Sequence, residues 1–352
     1  MKKLILILLI TLTACTMITE NRKYEWYPSG NAPVLYPTNL FYGDFMFSES
    51  EGIYIPKSIP FENGWGEPGG THILDNNFFP APSAIDIVWF SYVENQFYSL
   101  KADLPKEKIA ALLAEKDEEN EPKYRDIVVG MAPYGGVAIW LIGGGIRIAV
   151  AWLQGEPTDV EWKEFVPYVT LGRNEYVEKV LAGCEEAFEN LKKNGLPDRM
   201  LFERYMQQFN YRITPKFENE KANFENISLY YYNGELNRTK SGEHAENAMR
   251  AKPSKIMMKW YVGKTEYVGY FWTDEKKIIE TFANFYNNDT QKEGNLVIEV
   301  GASSNQFKFS LQNNTTVVEI PEEDIQIIVF KNEFECFRSK SYNKPPKGWR
   351  YD

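Results

Sequence analysis

The sequence predicts an α+β protein: two repeated strand–strand–helix–strand units with mostly antiparallel sheets, preceded by a signal peptide. Three observations predict it. The first 14 residues read as a cleavable leader. A pattern of alternating apolar residues around 85–131 returns around 256–301, at an offset of 171 residues. Aromatic residues make up 15% of the chain, with 22 Tyr, 22 Phe and 9 Trp, which suits a β-rich core of large side chains.

The repeat sets the order of elements. Pro82-Ser83-Ala84-Ile85 and Trp89-Phe90 match Pro253-Ser254-Lys255-Ile256 and Trp260-Tyr261, and Ile127, Val129 and Gly130 match Ile298, Val300 and Gly301. In the first copy, strands are expected at 85–92 and 96–102 around Glu94-Asn95, and a helix at 106–116 opened by Pro105 and striped by Ile109, Leu112 and Leu113. A strand at 126–131 and a hairpin, 136–142 and 146–153, around Gly143-Gly144-Gly145 follow. The second copy predicts strands at 255–261 and 266–272 and a helix at 274–286. Further strands are expected at 295–301, 307–312, 316–320 and 325–330. Strands at 40–47 and 226–232 precede the two copies, and an amphipathic helix at 174–194 ends at Gly195 with Pro197 beyond. The expected organisation is leader 1–14, tether 15–23, first unit 24–173, connecting helix 174–200, second unit 201–338 and tail 339–352.

The leader carries a functional expectation. Lys2 and Lys3 precede an apolar run, Leu4 to Leu12, which is too short to span a bilayer as a helix. Leu12-Thr13-Ala14-Cys15 resembles the lipobox of bacterial lipoproteins. That resemblance implies cleavage before Cys15 and lipidation of its thiol, so that acyl chains, each CH₂ worth ~0.8 kcal/mol when buried, anchor the chain without spanning. Thr16, where an Asp would favour inner-membrane retention, leans toward the outer membrane, facing the periplasm. Loss of Lys2 and Lys3 takes the formal charge from −10 to −12, so nothing basic suggests a nucleic-acid partner. Cys184 and Cys336 remain; in an oxidising compartment they could form a disulfide, or each could be a small buried hydrophobe.

Signatures of catalysis are missing from the sequence. His72 and His244 sit in polar, loop-like surroundings and read as surface residues, and neither a Gly-x-Ser-x-Gly elbow nor a His-Glu-x-x-His pair occurs. The glycines of 130–136 and 143–145 precede strands, not a helix N-terminus, so turns explain them better than a phosphate cradle. The acidic runs Asp117-Glu118-Glu119 and Glu322-Glu323-Asp324 lack calcium-loop spacing. Neither a metal nor a cofactor is expected. The most unusual loop is Gly64-Trp65-Gly66-Glu67-Pro68-Gly69-Gly70: Trp65, with Glu67 beside it, is either a plug packed on the domain or an exposed binding residue.

Several of these motifs occur together. Tyr24-Glu25-Trp26, Gly64-Trp65-Gly66, the strand Ile85-Asp86-Ile87-Val88-Trp89 with Phe97-Tyr98, and Leu104-Pro105 opening a helix are four of them. Val129-Gly130-Met131-Ala132-Pro133 with Trp140-Leu141, and Gly195-Leu196-Pro197, complete the set. Over about residues 24–215 the chain resembles the domain of unknown function 2931 family of bacterial lipoproteins. The family has no assigned activity, so the resemblance implies no catalytic residues. Lipoproteins of this sort are often encoded near type VI secretion components and lipase effectors, which implies an immunity role: a protein that binds and blocks a secreted toxin. The sequence therefore predicts a binding protein rather than an enzyme. The alternative is an envelope enzyme or glycan-binding protein that uses carboxylates and aromatics. A deep pocket lined by acids and Trp would favour that alternative, and a flat or protruding acidic–aromatic face would favour protein binding.

Overall fold

The computed structural model describes residues 22–58, 60–71, 77–240 and 243–341. The leader, Cys15, Thr16, His72 and most of the expected tail lie outside the described residues. The chain divides into two compact units, Met1–Gly144 with Ile148–Arg199, and Gly145–Arg147 with Met200–Asp352. The segment expected to connect them is part of the first unit up to Arg199.

The first unit holds strands β1 (Lys23–Glu25), β2 (Tyr27–Asn31), β3 (Thr38–Met46), β4 (Gly52–Tyr54), β5 (Phe78–Pro80) and β6 (Ala84–Ser91). They are followed by β7 (Gln96–Asp103), β8 (Asp126–Met131), β9 (Gly136–Gly143), β10 (Ile146–Gln154) and β11 (Glu156–Thr158). One sheet runs β4-β3-β6-β7-β11 and a second runs β2-β8-β9-β10, while β1 and β5 form a separate pair. Alternation decides which side chains go inward: Ile85, Ile87 and Trp89 of β6 are fully buried, and Trp89 stacks on its cross-strand partner Tyr98, centroids 5.5 Å apart.

One end of the opposite sheet face is covered by helices Trp162–Phe165 and Arg173–Gly183. Val177 and Leu181 pack there on Phe90, Tyr92 and Phe97, and Trp162, Phe165 and Tyr176 join them. The Arg173 guanidinium lies 5.3 Å from both the Phe90 and Phe97 rings and donates to the Asn95 side-chain oxygen at 2.7 Å. The single helix expected over 174–194 is two, Arg173–Gly183 and Glu185–Asn194, broken at Cys184 with φ −100° and ψ 71°. Gly183, a weak helix former, precedes the break.

The second unit holds the helix Leu201–Met206 and strands β12 (Phe209–Phe217), β13 (Ala222–Tyr231), β14 (Leu236–Lys240), β15 (Ala248–Arg250), β16 (Pro253–Val262) and β17 (Thr265–Thr273). The helix Glu275–Tyr286 follows, then β18 (Gly294–Val300), β19 (Phe307–Gln312), β20 (Val317–Ile320), β21 (Ile325–Lys331) and β22 (Phe334–Arg338). Its strands run β14-β13-β16-β17-β21-β22 and β15-β12-β18-β19-β20. Both sheets and the helix share one core, in which Trp260, Phe271, Phe282, Leu296 and Phe309 are buried together.

The two units repeat one strand order. The first unit's β4-β3-β6-β7-β11 corresponds to β14-β13-β16-β17-β21, and β2-β8-β9-β10 to β12-β18-β19-β20. Among the described residues, the one parallel pairing inside each unit falls at the same place, β2 with β8 and β12 with β18, and sets Pro28 opposite Ile127 and Pro215 opposite Ile298. Trp260 stacks on Tyr267 at 5.5 Å, as Trp89 does on Tyr98. A bulge interrupts β3 between Leu40 and Tyr42 and β13 between Phe224 and Asn226, each time beside the residue paired with that Trp.

Candidate functional site

The Trp65 loop is fastened to the first unit. Gly64 and Gly66 take left-handed backbone angles, φ 116° and 82°, that favour glycine. The Gly64 N–H donates to Ala32 O at 3.0 Å, and the Asn31 side-chain amide donates to Glu67 O at 2.8 Å. The half-buried Trp65 ring meets buried Trp140 edge-on at 4.7 Å and Trp152 at 6.5 Å. Trp65 is thus the plug. Glu67 contributes its main-chain carbonyl to the fastening, and its side chain lies beside Gly64.

A second hub joins the turn at Glu94, the loop after β8 and the segment at Pro197. Tyr134, left-handed at φ 60°, donates its N–H to both carboxylate oxygens of Glu94 at 3.0 Å. The Tyr98 hydroxyl donates to the same carboxylate at 2.7 Å, and the Tyr134 hydroxyl donates to Pro197 O at 3.0 Å. The glycine-rich loop after β8 is therefore capped by the protein's own carboxylate, which leaves no place for a phosphate there.

Cys184 and Cys336 are unbridged, which corrects the disulfide held open by the sequence. Cys184 is buried in the first unit, its thiol pushed up to about 12 by burial and by hydrogen bonding to Glu62, while Cys336 is exposed on β22 of the second. His244 is also corrected: a short turn, Glu243–Ala245, tucks it inward, its ring 4.7 Å from Phe224. Burial and the nearby Arg250 lower its pKa and so favour the neutral imidazole. Among the described residues no cluster of three or more His, Cys, Asp or Glu side chains is placed to hold a metal ion.

Among the described residues of the first unit, one end of the sheet β4-β3-β6-β7-β11 is open to solvent. The bulge at Phe41 inserts one residue, so Leu40 points inward while Tyr42 and Asp44 point outward. Register then builds one row across four strands: Tyr54 opposite Asp44, Asp44 opposite Asp86, and Asp86 opposite Lys101. Tyr54 is 48% exposed and Tyr42 41%. The Tyr42 hydroxyl is hydrogen-bonded to Asp44, which, with burial, pushes its pKa up to about 12. Lys101 reaches Asp86 at 3.6 Å, a pair whose Lys side chain is largely exposed. Two carboxylates directly opposite each other weaken a sheet by mutual repulsion. At the equivalent place the second unit has Met257 opposite Tyr270, packed with Trp272 and Ile328 in an apolar cluster. The acidic, aromatic character belongs to the first unit.

This unit is also where the chain matches a known family. The family described as a protein of unknown function (DUF2931) matches residues 14–197, more than half of the chain. The chain belongs to this family. The DUF2931 match starts one residue before Cys15 and takes in Trp65, the Glu94–Tyr134 hub and the acidic–aromatic face. No curated protein and no solved structure matches the chain.

The sequence did not single out Tyr42, Tyr54, Asp44 or Asp86 as site residues. Two signals point to them only in retrospect: a strand with polar residues at alternate positions of an otherwise apolar run, and an acid at each of two such positions.

Proposed function

We propose that this DUF2931 protein is a lipid-anchored lipoprotein of the bacterial envelope that acts by binding a protein partner, an incoming secreted toxin that it blocks. The observation that carries the binding reading is the open acidic–aromatic half of the first unit's outer sheet face. Tyr42 and Tyr54 supply rigid, amphipathic contact area at low entropic cost, and Asp44 and Asp86 supply paired negative charge for a basic group of the partner. The immunity role rests on the family resemblance, and the anchor rests on Leu12-Thr13-Ala14-Cys15. A glycosidase reading is less well supported, because its two carboxylates must flank a scissile bond across a cleft, whereas Asp44 and Asp86 stand side by side on a sheet.

Photocrosslinking in intact cells tests the surface. A crosslinking residue at Tyr54 should capture a protein that the same residue at Phe334, 78% exposed on the second unit, does not. Capture of the same proteins from both positions, or of none from Tyr54, contradicts the assignment. For the anchor, Cys15→Ser should abolish incorporation of labelled palmitate; continued labelling would remove the lipobox reading.

The two units are best read as an internal duplication. The shared strand order, the Trp–Tyr stack, the paired prolines and the bulge at one register all support it. Less diverged relatives should show more identities at the 171-residue offset, and identities that stay at background level would contradict duplication.

A further inference from the structure

A second feature of the first unit is independent of the sheet face. The loop at Pro60–Glu62, the loop at Tyr168–Leu171 and the helix Arg173–Gly183 enclose an open cleft of about 560 Å³. That lies within the ~300–1,000 Å³ typical of small-molecule sites. Val169, Leu171 and Val180 give it an apolar wall, and Tyr168, 97% exposed, stands at its rim.

Two charges of opposite sign line the same cleft, Glu62 and Lys179. Among the described residues they form no ion pair with each other, and Lys179 pairs with no other carboxylate. The neighbour of Glu62 is the Cys184 thiol at the cleft lining. With its pKa raised, that thiol stays protonated and donates a hydrogen bond, so it is no nucleophile.

We propose that this cleft binds a zwitterionic ligand with a short apolar body, an amino acid or dipeptide. Its ammonium group meets Glu62, its carboxylate meets Lys179, and its side chain lies on Val169, Leu171 and Val180. A ligand with one charge leaves one of the two protein charges without a counter-charge, so the pair selects for a zwitterion.

Titration calorimetry on the purified lipoprotein tests this, with leucyl-phenylalanine as the probe beside its N-acetylated and C-amidated forms. The free dipeptide should bind saturably, and each blocked form should bind at least about tenfold more weakly. Glu62→Gln should erase the discrimination against the N-acetylated form alone, and Lys179→Met the discrimination against the C-amidated form alone. Both side chains are exposed, so melting temperatures should stay at the wild-type value, which a parallel thermal melt verifies. Absence of saturable binding of the free dipeptide at about 10 mM, equal binding of the blocked forms, or unchanged discrimination in the variants would overturn the proposal.

Discussion

Trp65 lies between two left-handed glycines, with its ring edge-on to Trp140. Removing it takes away its edge-on ring contacts with Trp140 and Trp152. Trp65→Ala should destabilise the protein by about 2–3 kcal/mol, below the ~3–5 kcal/mol of a fully buried aromatic, and should leave partner affinity unchanged under folding conditions. Urea denaturation and a binding assay separate the two. A second residue gives a pH signature. Burial raises the Asp126 carboxyl to about 6, with Arg125 partly opposing the shift. The folded state therefore holds that proton more tightly than the unfolded state, whose value is 3.8. Stability falls as pH rises from about 4 to about 6, and the penalty persists above that. Asp126→Asn should raise stability at pH 7 by about 1–3 kcal/mol and make no difference at pH 3, read as the gap between the two stability–pH curves.

Hairpins and helices were the most legible level of the sequence. The 85–92, 96–102 and 126–131 strands were within a residue of β6, β7 and β8, because period-two alternation and the turn at Glu94-Asn95 are local signals. The helix Glu275–Tyr286 was equally readable: Asp274 caps it by accepting from the Lys277 N–H at 3.0 Å. Asp274→Ala should cost about 1 kcal/mol in a thermal or urea melt, and no loss would show that the cap is dispensable. Short elements escaped notice. Strands such as β4 and β11 have three residues each and exist only because a neighbouring strand offers hydrogen bonds, a non-local fact. The site was least legible of all, since the row from Tyr54 to Lys101 requires four strands in a particular order and a bulge that flips β3 by one residue.

At the scale of the molecule, the chain forms two compact α+β units with one matching strand order, and one sheet face of the first unit is polar and open. The whole chain has a formal charge of −10, so a basic partner should be drawn in at a rate that falls as salt rises. The proposed partner surface is made of Tyr42, Asp44, Tyr54 and Asp86. Once crosslinking has supplied the partner, its affinity for purified Tyr54→Ala and Asp44→Lys variants is the direct measurement. Each should lose about 2 kcal/mol or more of binding, roughly 30-fold in Kd, with wild-type melting behaviour. Wild-type affinity in both well-folded variants would contradict it.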